Sequence, residues 1–153
     1  MTEVNDSSEV PVTYSVGILA AKDGKILLVR HEEGAGHVTG MYGLPAGRLD
    51  SEDEESEDAA VREFGEETGL TIKREDLREF PDNYYEADLP RKDGSIMRAG
   101  MRVFKVENFT GELRAGNDET TPQWKTLDEM RALDQEGKLL PNAIKAVEVG
   151  MKL

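Results

Sequence analysis

Apolar and polar positions in the first third of the chain follow the pattern of a β-hairpin. The apolar run at 12–20 is typical of a buried strand, and the run at 26–30 is typical of a strand that returns beside it. Between them, residues 22–25 read Lys-Asp-Gly-Lys, and Asp-Gly at the centre of a two-residue turn is a strong hairpin signal. We therefore expect two antiparallel strands, followed by a glycine-rich loop at 32–40.

The acidic stretch after position 50 has the period of a helix. Ser56 is the predicted N-cap and Gly69 the predicted C-terminal stop, so the helix is expected at 57–68. The side chains expected on its buried side are those of Ala60, Val61, Phe64 and Thr68.

The second half of the chain mixes strands and helices. Two strands at 77–89 and 95–106 are predicted on either side of an Asp-Gly turn at 93–94, and a short strand is predicted at 122–125. The periods at 128–135 and 142–151 predict two helices, with Ile144, Val147 and Met151 packing on the core. Together these elements predict the α/β class, with a mixed central sheet between helices on both sides.

Composition limits the partners that this chain is suited to. Its 153 residues suit one compact domain, expected at 11–153 behind a flexible, acidic tail at 1–10. The net charge of −13 opposes binding to nucleic-acid polymers and to anionic membranes, and the sequence has no long apolar run. There is no cysteine, which is consistent with a cytoplasmic protein and leaves no thiolate for catalysis or zinc.

The predicted acidic helix concentrates carboxylates in one sector. At about 100° per residue, Glu66 and Glu67 lie on either side of Glu63, one turn further on. Like charges at these spacings are unfavourable by roughly 0.2–0.5 kcal/mol each, and a hard cation with oxygen ligands removes that cost. Arg62 lies beside the cluster, and Glu54 is a plausible carboxylate partner for it. A solvated acidic face would be the interpretation of three glutamates alone, but the accompanying residues favour a metal site.

This stretch resembles the signature of the Nudix hydrolases: glycine, five residues, glutamate, seven residues, then Arg-Glu-apolar-x-Glu-Glu-x-Gly-apolar. Residues 54–70 match it throughout, with Glu54 and Gly69 in the structural positions of the motif. Upstream, Arg48 stands where the pattern has glycine. We interpret Gly47 as the motif glycine, with one residue inserted at 51–53. The resemblance covers most of residues 12–150 and implies a Nudix-type fold.

The resemblance implies a hydrolase that uses Mg²⁺, or alternatively Mn²⁺, to cut diphosphate bonds of nucleoside diphosphate derivatives. Glu63, Glu66 and Glu67 match the metal and general-base carboxylates of the family, with Arg62 beside them. A backbone carbonyl of Ala46 or Gly47 is a further candidate ligand, and so is a carboxylate from Asp118 or Glu119. The metals would neutralise the diphosphate and activate a water, whose proton a glutamate accepts. Many relatives are homodimers, although no residue here indicates an oligomeric state.

Five positions outside the helix are candidates for substrate binding, each with an ordinary structural alternative. Arg30 ends a predicted strand and is either a phosphate ligand or a surface arginine, and Arg102 either lines the substrate pocket with Arg98 or flanks the sheet. Tyr85 or its neighbour Tyr84 is suited to stacking on a base. Asn142 either reads a base edge or starts a helix, and Gly47 lies in the motif loop. His31 and His37 are expected to be surface residues, and Trp124 to be core.

Three functions remain open at this point. The first is hydrolysis of a nucleoside triphosphate to a nucleoside monophosphate and pyrophosphate. Cleavage of ADP-ribose or a nucleotide sugar is the alternative within the same chemistry. A Nudix-fold module that binds nucleotides without hydrolysis is the third, and the retention of all three box glutamates argues against it. An isoprenoid diphosphate isomerase is disfavoured because the chain has no cysteine.

Overall fold

The computed structural model describes residues 11–35, 38–51, 53–116 and 119–152. Within these ranges the elements follow in the order β1 (Thr13–Lys22), β2 (Lys25–His31), β3 (Tyr42–Gly43), β4 (Ala46–Arg48), α1 (Ser56–Thr68), β5 (Leu70–Thr71), β6 (Tyr84–Pro90), β7 (Ile96–Val106), β8 (Thr110–Gly111), β9 (Thr120–Thr126), α2 (Leu127–Gln135) and α3 (Ala143–Gly150). The tail predicted at 1–10 lies outside the described residues.

The sheet is mixed, as predicted. Strand β1 pairs in parallel with β7 and antiparallel with both β2 and β4, and β6 continues the sheet beyond β7. On the other side, β2 pairs with β3 and with β9. The β1–β2 hairpin is paired only next to its turn, where Ala21 faces Ile26. Beyond that point, β4 pairs with β1 and β3 pairs with β2. The β3–β4 segment therefore lies between the two strands of the hairpin.

Apolar side chains pack on both faces of the sheet. On one face, β1, β2 and β7 contribute Val16, Ile18, Ala20, Leu27, Phe104 and Val106, which pack against Ala59, Ala60 and Phe64 of α1. On the other face, Leu19, Ile26, Leu28 and Val103 pack against Met130 of α2 and Ala143, Ala146 and Val147 of α3. This two-sided core confirms the prediction of a sheet between helices. Among the described residues, no helix has the length and apolar character needed to cross a membrane.

Both Asp-Gly turns form where the sequence places them. Asp23 and Gly24 have φ values of 53° and 76°, and the flanking Lys22 and Lys25 are paired. This is the backbone that the Asp-Gly dipeptide favours in a two-residue hairpin. Gly94, with φ of 88°, turns the chain between β6 and β7.

Two local predictions are wrong. The predicted strand at 77–89 is interrupted: Arg78 makes only an isolated bridge to Lys105, and β6 begins at Tyr84. Pro81 has no backbone N–H and Asp82 turns the chain at φ of 55°, so the ladder cannot continue through them. Ser56 is the first residue of α1 rather than its N-cap. Glu55 takes the cap position in extended backbone, without a capping side chain, and its carboxylate instead pairs with Arg74 at 3.1 Å.

Candidate active site

Helix α1 presents one face to the core and an adjoining sector to a depression in the surface. Ala59, Ala60 and Phe64 are fully buried, so the rotation of the helix is fixed by packing. Gly69 ends the helix in the left-handed region at φ of 80°, and its N–H donates to the Gly65 carbonyl. A Cβ at position 69 would collide with the Glu112 carbonyl, so the C-terminal stop needs glycine for space as well as for φ. The sector beside Phe64 carries the three glutamates of the predicted metal site.

Arg62 holds two of the motif carboxylates in place. Its Nε and Nη2 donate to the two oxygens of Glu54 at 3.1 and 2.9 Å, and its Nη1 donates to Glu63 Oε1 at 2.7 Å. Nη2 also donates to the Arg48 carbonyl at 3.1 Å. The hydrogen bonds from Arg62 are the main reason why the pKa of Glu54 lies below its ordinary value. The predicted Arg62–Glu54 pair is therefore formed, and it ties the motif loop to α1.

Glu67 lies against the backbone of β4. Its Oε1 accepts a hydrogen bond from the Ala46 N–H at 2.6 Å. Burial raises the pKa of Glu67 to about 8, and the negative charges of Glu63, Glu119 and Glu66 add to the rise despite the Ala46 hydrogen bond. Burial also raises the pKa of Glu63, against the opposing effect of Arg62. Two carboxyl groups are thus held where their ionised forms are disfavoured until a cation compensates them.

The ladder between β1 and β4 turns both backbone polar groups of Ala46 toward α1. Ala46 faces Gly17 in an antiparallel register, and the neighbouring Ile18 N–H donates to the Pro45 carbonyl. Residues alternate between pairs that exchange hydrogen bonds and pairs that do not, and Ala46 belongs to the second kind. Its N–H accordingly points away from β1, to Glu67. Because the carbonyl of the same strand residue points to the same side, it also faces the carboxylates.

Gly47 lies directly against the Glu63 side chain. A Cβ on Gly47 would overlap the Glu63 carboxylate and its Cγ, so a larger residue would displace that carboxylate. This close contact is consistent with Gly47 as the motif glycine, and the insertion of one residue at 51–53 stays a prediction. Glu52, within that range, lies outside the described residues. Gly65 differs, because a Cβ there would meet only the Leu70 carbonyl oxygen, at an ordinary 3.7 Å.

A depression in the surface brings the acidic residues of α1 together with the segment before β9. Glu119 lies in it, beside the three α1 glutamates. This is the position expected of the additional carboxylate, whereas Asp118 lies outside the described residues. Arg114 also lines the depression, and its Nη2 donates to the Gly65 carbonyl at 3.4 Å. A lone arginine in a loop carries no local signal, so the place of Arg114 in this depression is not predictable from the sequence.

The donor set of this depression suits a hard divalent cation. Over the described ranges, no three His, Cys, Asp or Glu side chains form a preassembled metal cage. Glu63 is directed to Arg62 and Glu67 to Ala46, as described above. Mg²⁺ does not require such a cage, because it binds one or two carboxylates and keeps waters and substrate oxygens as its other ligands. Carboxylates with raised pKa values, a backbone carbonyl on the same side and a further acidic residue fit that requirement.

An apolar cleft adjoins the acidic depression across β4. Ala46 and Gly47, which contact Glu67 and Glu63 on one side, line the cleft on the other. Its remaining walls come from the ends of β1 and β2, from β6 and β7, and from the start of α3, chiefly Leu44, Tyr85, Ala87, Leu89, Met97, Ala99, Met101, Leu140 and Pro141. A cleft with mostly apolar walls and few polar groups is the usual form of a small-molecule site.

Three of the five predicted substrate-binding residues line this cleft. They are Gly47, Tyr85 and Asn142, and Asn142 donates from its side chain to the Glu86 carbonyl at 3.1 Å. Asn142 also has φ of 69° immediately before α3, so it is a helix-start residue as well. Tyr84 points elsewhere, with its hydroxyl donating to Glu86 at 2.9 Å.

Arg30 and Arg102 are not brought to the cleft. Arg30 Nε pairs with Glu32 at 2.8 Å, and the same carboxylate oxygen accepts from Thr121. Arg102 pairs with Glu79 and lies over the Phe104 ring. It therefore belongs to the α1 side of the sheet, whereas Met97, Ala99 and Met101 of the same strand alternate with it and line the cleft. The structure favours the alternative in which Arg102 flanks the sheet.

Two other residues differ from expectation, His31 in the cleft and Trp124 on the α1 side of the sheet. His31 is 7% exposed and lines the cleft, so the prediction of a surface histidine is wrong for it; His37 lies outside the described residues. Trp124 is only partly buried and stacks on Phe109, with ring centroids 5.7 Å apart. Arg48 also lines the cleft, next to Gly47. In the sequence this position is only a departure from the motif, so nothing there indicates that its cation lies in the cleft.

Comparison with known proteins agrees with this geometry. The NUDIX domain model matches residues 11–147. A MutT NUDIX hydrolase from Burkholderia pseudomallei has a similar structure, with a TM-score of 0.70 and 25% identity, covering 91% of this chain and 98% of the other. The solution structure of the E. coli ORF135 protein is similar at a TM-score of 0.68 and 23% identity, covering 97% and 95%.

A bifunctional NMN adenylyltransferase/ADP ribose pyrophosphatase from Francisella tularensis, complexed with AMP and Mn ion, is similar at a TM-score of 0.62 and 22% identity. The match covers 94% of this chain but only 42% of that protein. No curated protein matches the sequence significantly. Because the family model spans most of the chain and the motif residues converge in the fold, this protein belongs to the NUDIX domain family of hydrolases.

Proposed function

We propose that this Nudix hydrolase cleaves the diphosphate linkage of a nucleoside triphosphate, with Mg²⁺, to a nucleoside monophosphate and pyrophosphate. The observation that carries the proposal is the junction at β4. Ala46 and Gly47 separate an acidic depression, suited to a cation and phosphates, from an apolar cleft, suited to a nucleoside. A nucleotide placed across β4 has its charged and apolar parts next to matching surfaces.

The groups that would hold the cation are Glu63, Glu66 and Glu67, the Ala46 carbonyl and Glu119. When bound, Mg²⁺ would neutralise the phosphate charge and increase the acidity of a water. Mn²⁺ is the alternative, and the AMP complex of the F. tularensis protein contains that ion. A cation is needed for electrostatic reasons too, because a chain with a net charge of −13 repels an anionic substrate.

Glu67 is the residue best placed to take a proton from the attacking water. Its Oε1 is engaged by the Ala46 N–H, so its Oε2 is the atom left to accept the proton. Without a cation the pKa of Glu67 is about 8, and a bound cation would favour its ionised form, which is the form that accepts a proton. Arg62 positions Glu63 through the 2.7 Å hydrogen bond and the shared anchor of Glu54. Arg48, which lines the cleft next to Gly47, and Arg114, which lines the acidic depression, would supply positive charge for the phosphates.

ADP-ribose or a nucleotide sugar is a second candidate substrate. The similarity to the bifunctional F. tularensis protein, described as an ADP ribose pyrophosphatase, favours it. The cleft is lined by Arg48 as well as by apolar residues such as Leu89, Met97 and Met101, so a charged group could lie beside the nucleoside. A nucleotide-binding module without catalysis is disfavoured, because Glu63, Glu66 and Glu67 are all retained.

A substrate panel tests the proposal and separates the two candidates. The protein is incubated with Mg²⁺ and the common nucleoside triphosphates, ADP-ribose and nucleotide sugars, and the products are identified by ³¹P NMR. Release of pyrophosphate from a triphosphate supports the first candidate. Release of AMP from ADP-ribose supports the second. Intact compounds throughout, with a correctly folded protein, would overturn both. A cytoplasmic location stays a prediction from the absence of cysteine, and the absence of polymer or membrane partners stays a prediction from the net charge.

A further inference from the structure

The backbone around Glu119 packs closely on helix α1. The Glu119 N–H donates to the Gly116 carbonyl, and the Gly116 N–H donates to the Thr120 carbonyl, both at 3.0 Å. A Cβ on Gly116 would lie 3.1 Å from the Glu66 carbonyl oxygen and 3.3 Å from the Glu67 Cα. The small size of Gly116 therefore lets the backbone that carries Glu119 approach the α1 carboxylates.

A hydrogen bond from Glu32 holds Glu119 from the other side. The Glu32 N–H donates to the Glu119 carbonyl at 2.8 Å, one position beyond the His31–Thr120 pair that ends the ladder between β2 and β9. With its N–H bound to Gly116 and its carbonyl bound to Glu32, Glu119 has both of its backbone polar groups engaged. These two contacts fix the backbone from which its carboxylate extends in the acidic depression.

Glu32 is in turn held by side chains from three elements. Its Oε2 accepts hydrogen bonds from Arg30 Nε of β2 at 2.8 Å and from Thr121 Oγ1 of β9 at 2.6 Å. Its carbonyl accepts from Lys92 Nζ, in the turn between β6 and β7, at 3.3 Å. An isolated surface ion pair contributes little, but a network that connects several elements restrains the backbone at its centre. Glu32 is at that centre, one hydrogen bond away from Glu119.

We propose that Glu32 and Thr121 are positioning residues, which hold Glu119 where it binds the cation. This inference rests on the proposed function, in which Glu119 is one of the groups that hold the cation. Residues behind a metal ligand set its orientation, and a ligand that is already ordered loses less freedom on binding. The same network gives Arg30 a place in the site although it does not reach the cleft, because its guanidinium holds Glu32 instead of a phosphate.

The test measures binding of Mn²⁺ through the EPR signal of the free ion, which does not depend on turnover. Thr121→Val removes the hydroxyl that holds Glu32 without a change of charge, and Thr121→Ser is the matched control that keeps a hydroxyl. We expect Thr121→Val to weaken Mn²⁺ binding about three- to tenfold, the effect of one lost hydrogen bond. Thr121→Ser should bind Mn²⁺ as the wild type does. In a Glu119→Gln background, Thr121→Val should cause no further loss, because it acts through Glu119.

A second pair of variants separates positioning from charge. Glu32→Ala should weaken Mn²⁺ binding at least as much as Thr121→Val does. Glu33→Ala removes the same charge one position further along the chain, so it measures the loss that is due to charge alone. We expect that loss to be clearly smaller than the loss in Glu32→Ala.

Several results would overturn the inference. Unchanged Mn²⁺ affinity in Thr121→Val, with or without a lower melting temperature, would make the network purely structural. Equal losses in Glu32→Ala and Glu33→Ala would reduce the effect to charge. Unchanged affinity in Glu119→Gln, or additive losses from Thr121→Val and Glu119→Gln, would show that the network does not act through Glu119.

The proposed function fails separately from this inference. If Mn²⁺ binding depends on Thr121 and Glu119 as expected but the wild type hydrolyses no member of the substrate panel, the hydrolase proposal is wrong and the positioning role stands. If the wild type hydrolyses a substrate but Thr121→Val binds Mn²⁺ as the wild type does, the positioning role is wrong and the hydrolase proposal stands.

Discussion

Replacing Glu67 by glutamine should change how the stability of the metal-free protein depends on pH. Below a pH of about 4.5, Glu67 is protonated in both the folded and the unfolded chain. As the pH rises, the unfolded chain loses this proton near 4.5, whereas the folded chain keeps it until about 8. The free energy of unfolding therefore falls across that window, and its fall is complete above pH 8. Glutamine has no proton to lose, so Glu67→Gln removes this contribution.

The structure sets an upper limit on the effect. The difference between a pKa of 4.5 and one of about 8 corresponds to roughly 5 kcal/mol, and partial solvent access reduces it to a few kcal/mol. At pH 5 the variant should be close to the wild type, apart from the changed Ala46 hydrogen bond. At pH 8.5 it should be more stable than the wild type by up to this amount.

The assay is urea unfolding in the presence of a chelator, followed by the fluorescence of Trp124, the only tryptophan, from pH 5 to 8.5. Glu66→Gln is the matched control, since it also removes a carboxylate from the cluster but its side chain is 59% exposed. The control should show little difference from the wild type at any pH. Parallel curves for Glu67→Gln and the wild type across the whole range would refute the idea that burial of Glu67 disfavours its ionised form.

Three further predictions concern the same site. Gly47→Ala should lower kcat at least tenfold with a small loss of stability, because the new Cβ displaces the flexible Glu63 carboxylate. Gly65→Ala should retain activity and raise stability by up to about 1 kcal/mol, because alanine favours the helix and the new Cβ has space. Urea unfolding and steady-state kinetics measure both variants, and equal effects at the two glycines would contradict this prediction. Arg62→Lys should lower stability by roughly 1–3 kcal/mol, because an ammonium cannot bridge Glu54 and Glu63 at once, and an unchanged urea midpoint would disprove that bridging role. Binding of Mg²⁺ at pH 7 should release protons from the wild type but fewer from Glu67→Gln, which calorimetry in buffers of different ionisation enthalpy would detect; equal release would place the proton elsewhere.

The elements that the sequence predicts correctly depend on local chemistry. The hairpin at Asp23 and Gly24, the stop at Gly69 and the buried stripe through Phe64 each follow from a few adjacent residues. The pairing of Arg62 with Glu54 is predictable for the same reason, because both lie within one motif.

The errors arise where a distant residue decides the outcome. Glu55 takes the cap position of α1 while its side chain is held by Arg74, 19 positions later. Arg102 faces the same direction as Arg98 along β7, as expected, but which face of the sheet lines the cleft depends on how β6 and α3 pack. The sequence favours Tyr84 or Tyr85 for stacking on a base, whereas only the fold shows that Tyr85 is buried and Tyr84 exposed.

Contacts between distant residues also explain which features of the site cannot be predicted from the sequence. The three glutamates of α1 are identified by spacing, whereas the close contact of Gly47 with Glu63 is seen only in the fold. The contact between the Ala46 N–H and Glu67 joins residues 21 positions apart, and the cleft on the other side of β4 comes from six separate segments. The motif therefore indicates the chemistry, whereas the cleft, where we propose that the nucleoside binds, becomes visible only in the fold.

The most direct test of the proposed chemistry is the rate of hydrolysis of the best triphosphate from the panel, measured for the wild type and Glu67→Gln over a range of Mg²⁺ concentrations. We expect turnover by the wild type to require Mg²⁺ and to stop with a chelator. The variant, still folded, should be slower by a factor of about 10²–10⁴ at saturating Mg²⁺, the loss typical of a missing general base. Hydrolysis that persists without divalent cations, or a variant that retains the wild-type rate, would contradict the assignment of the α1 carboxylates.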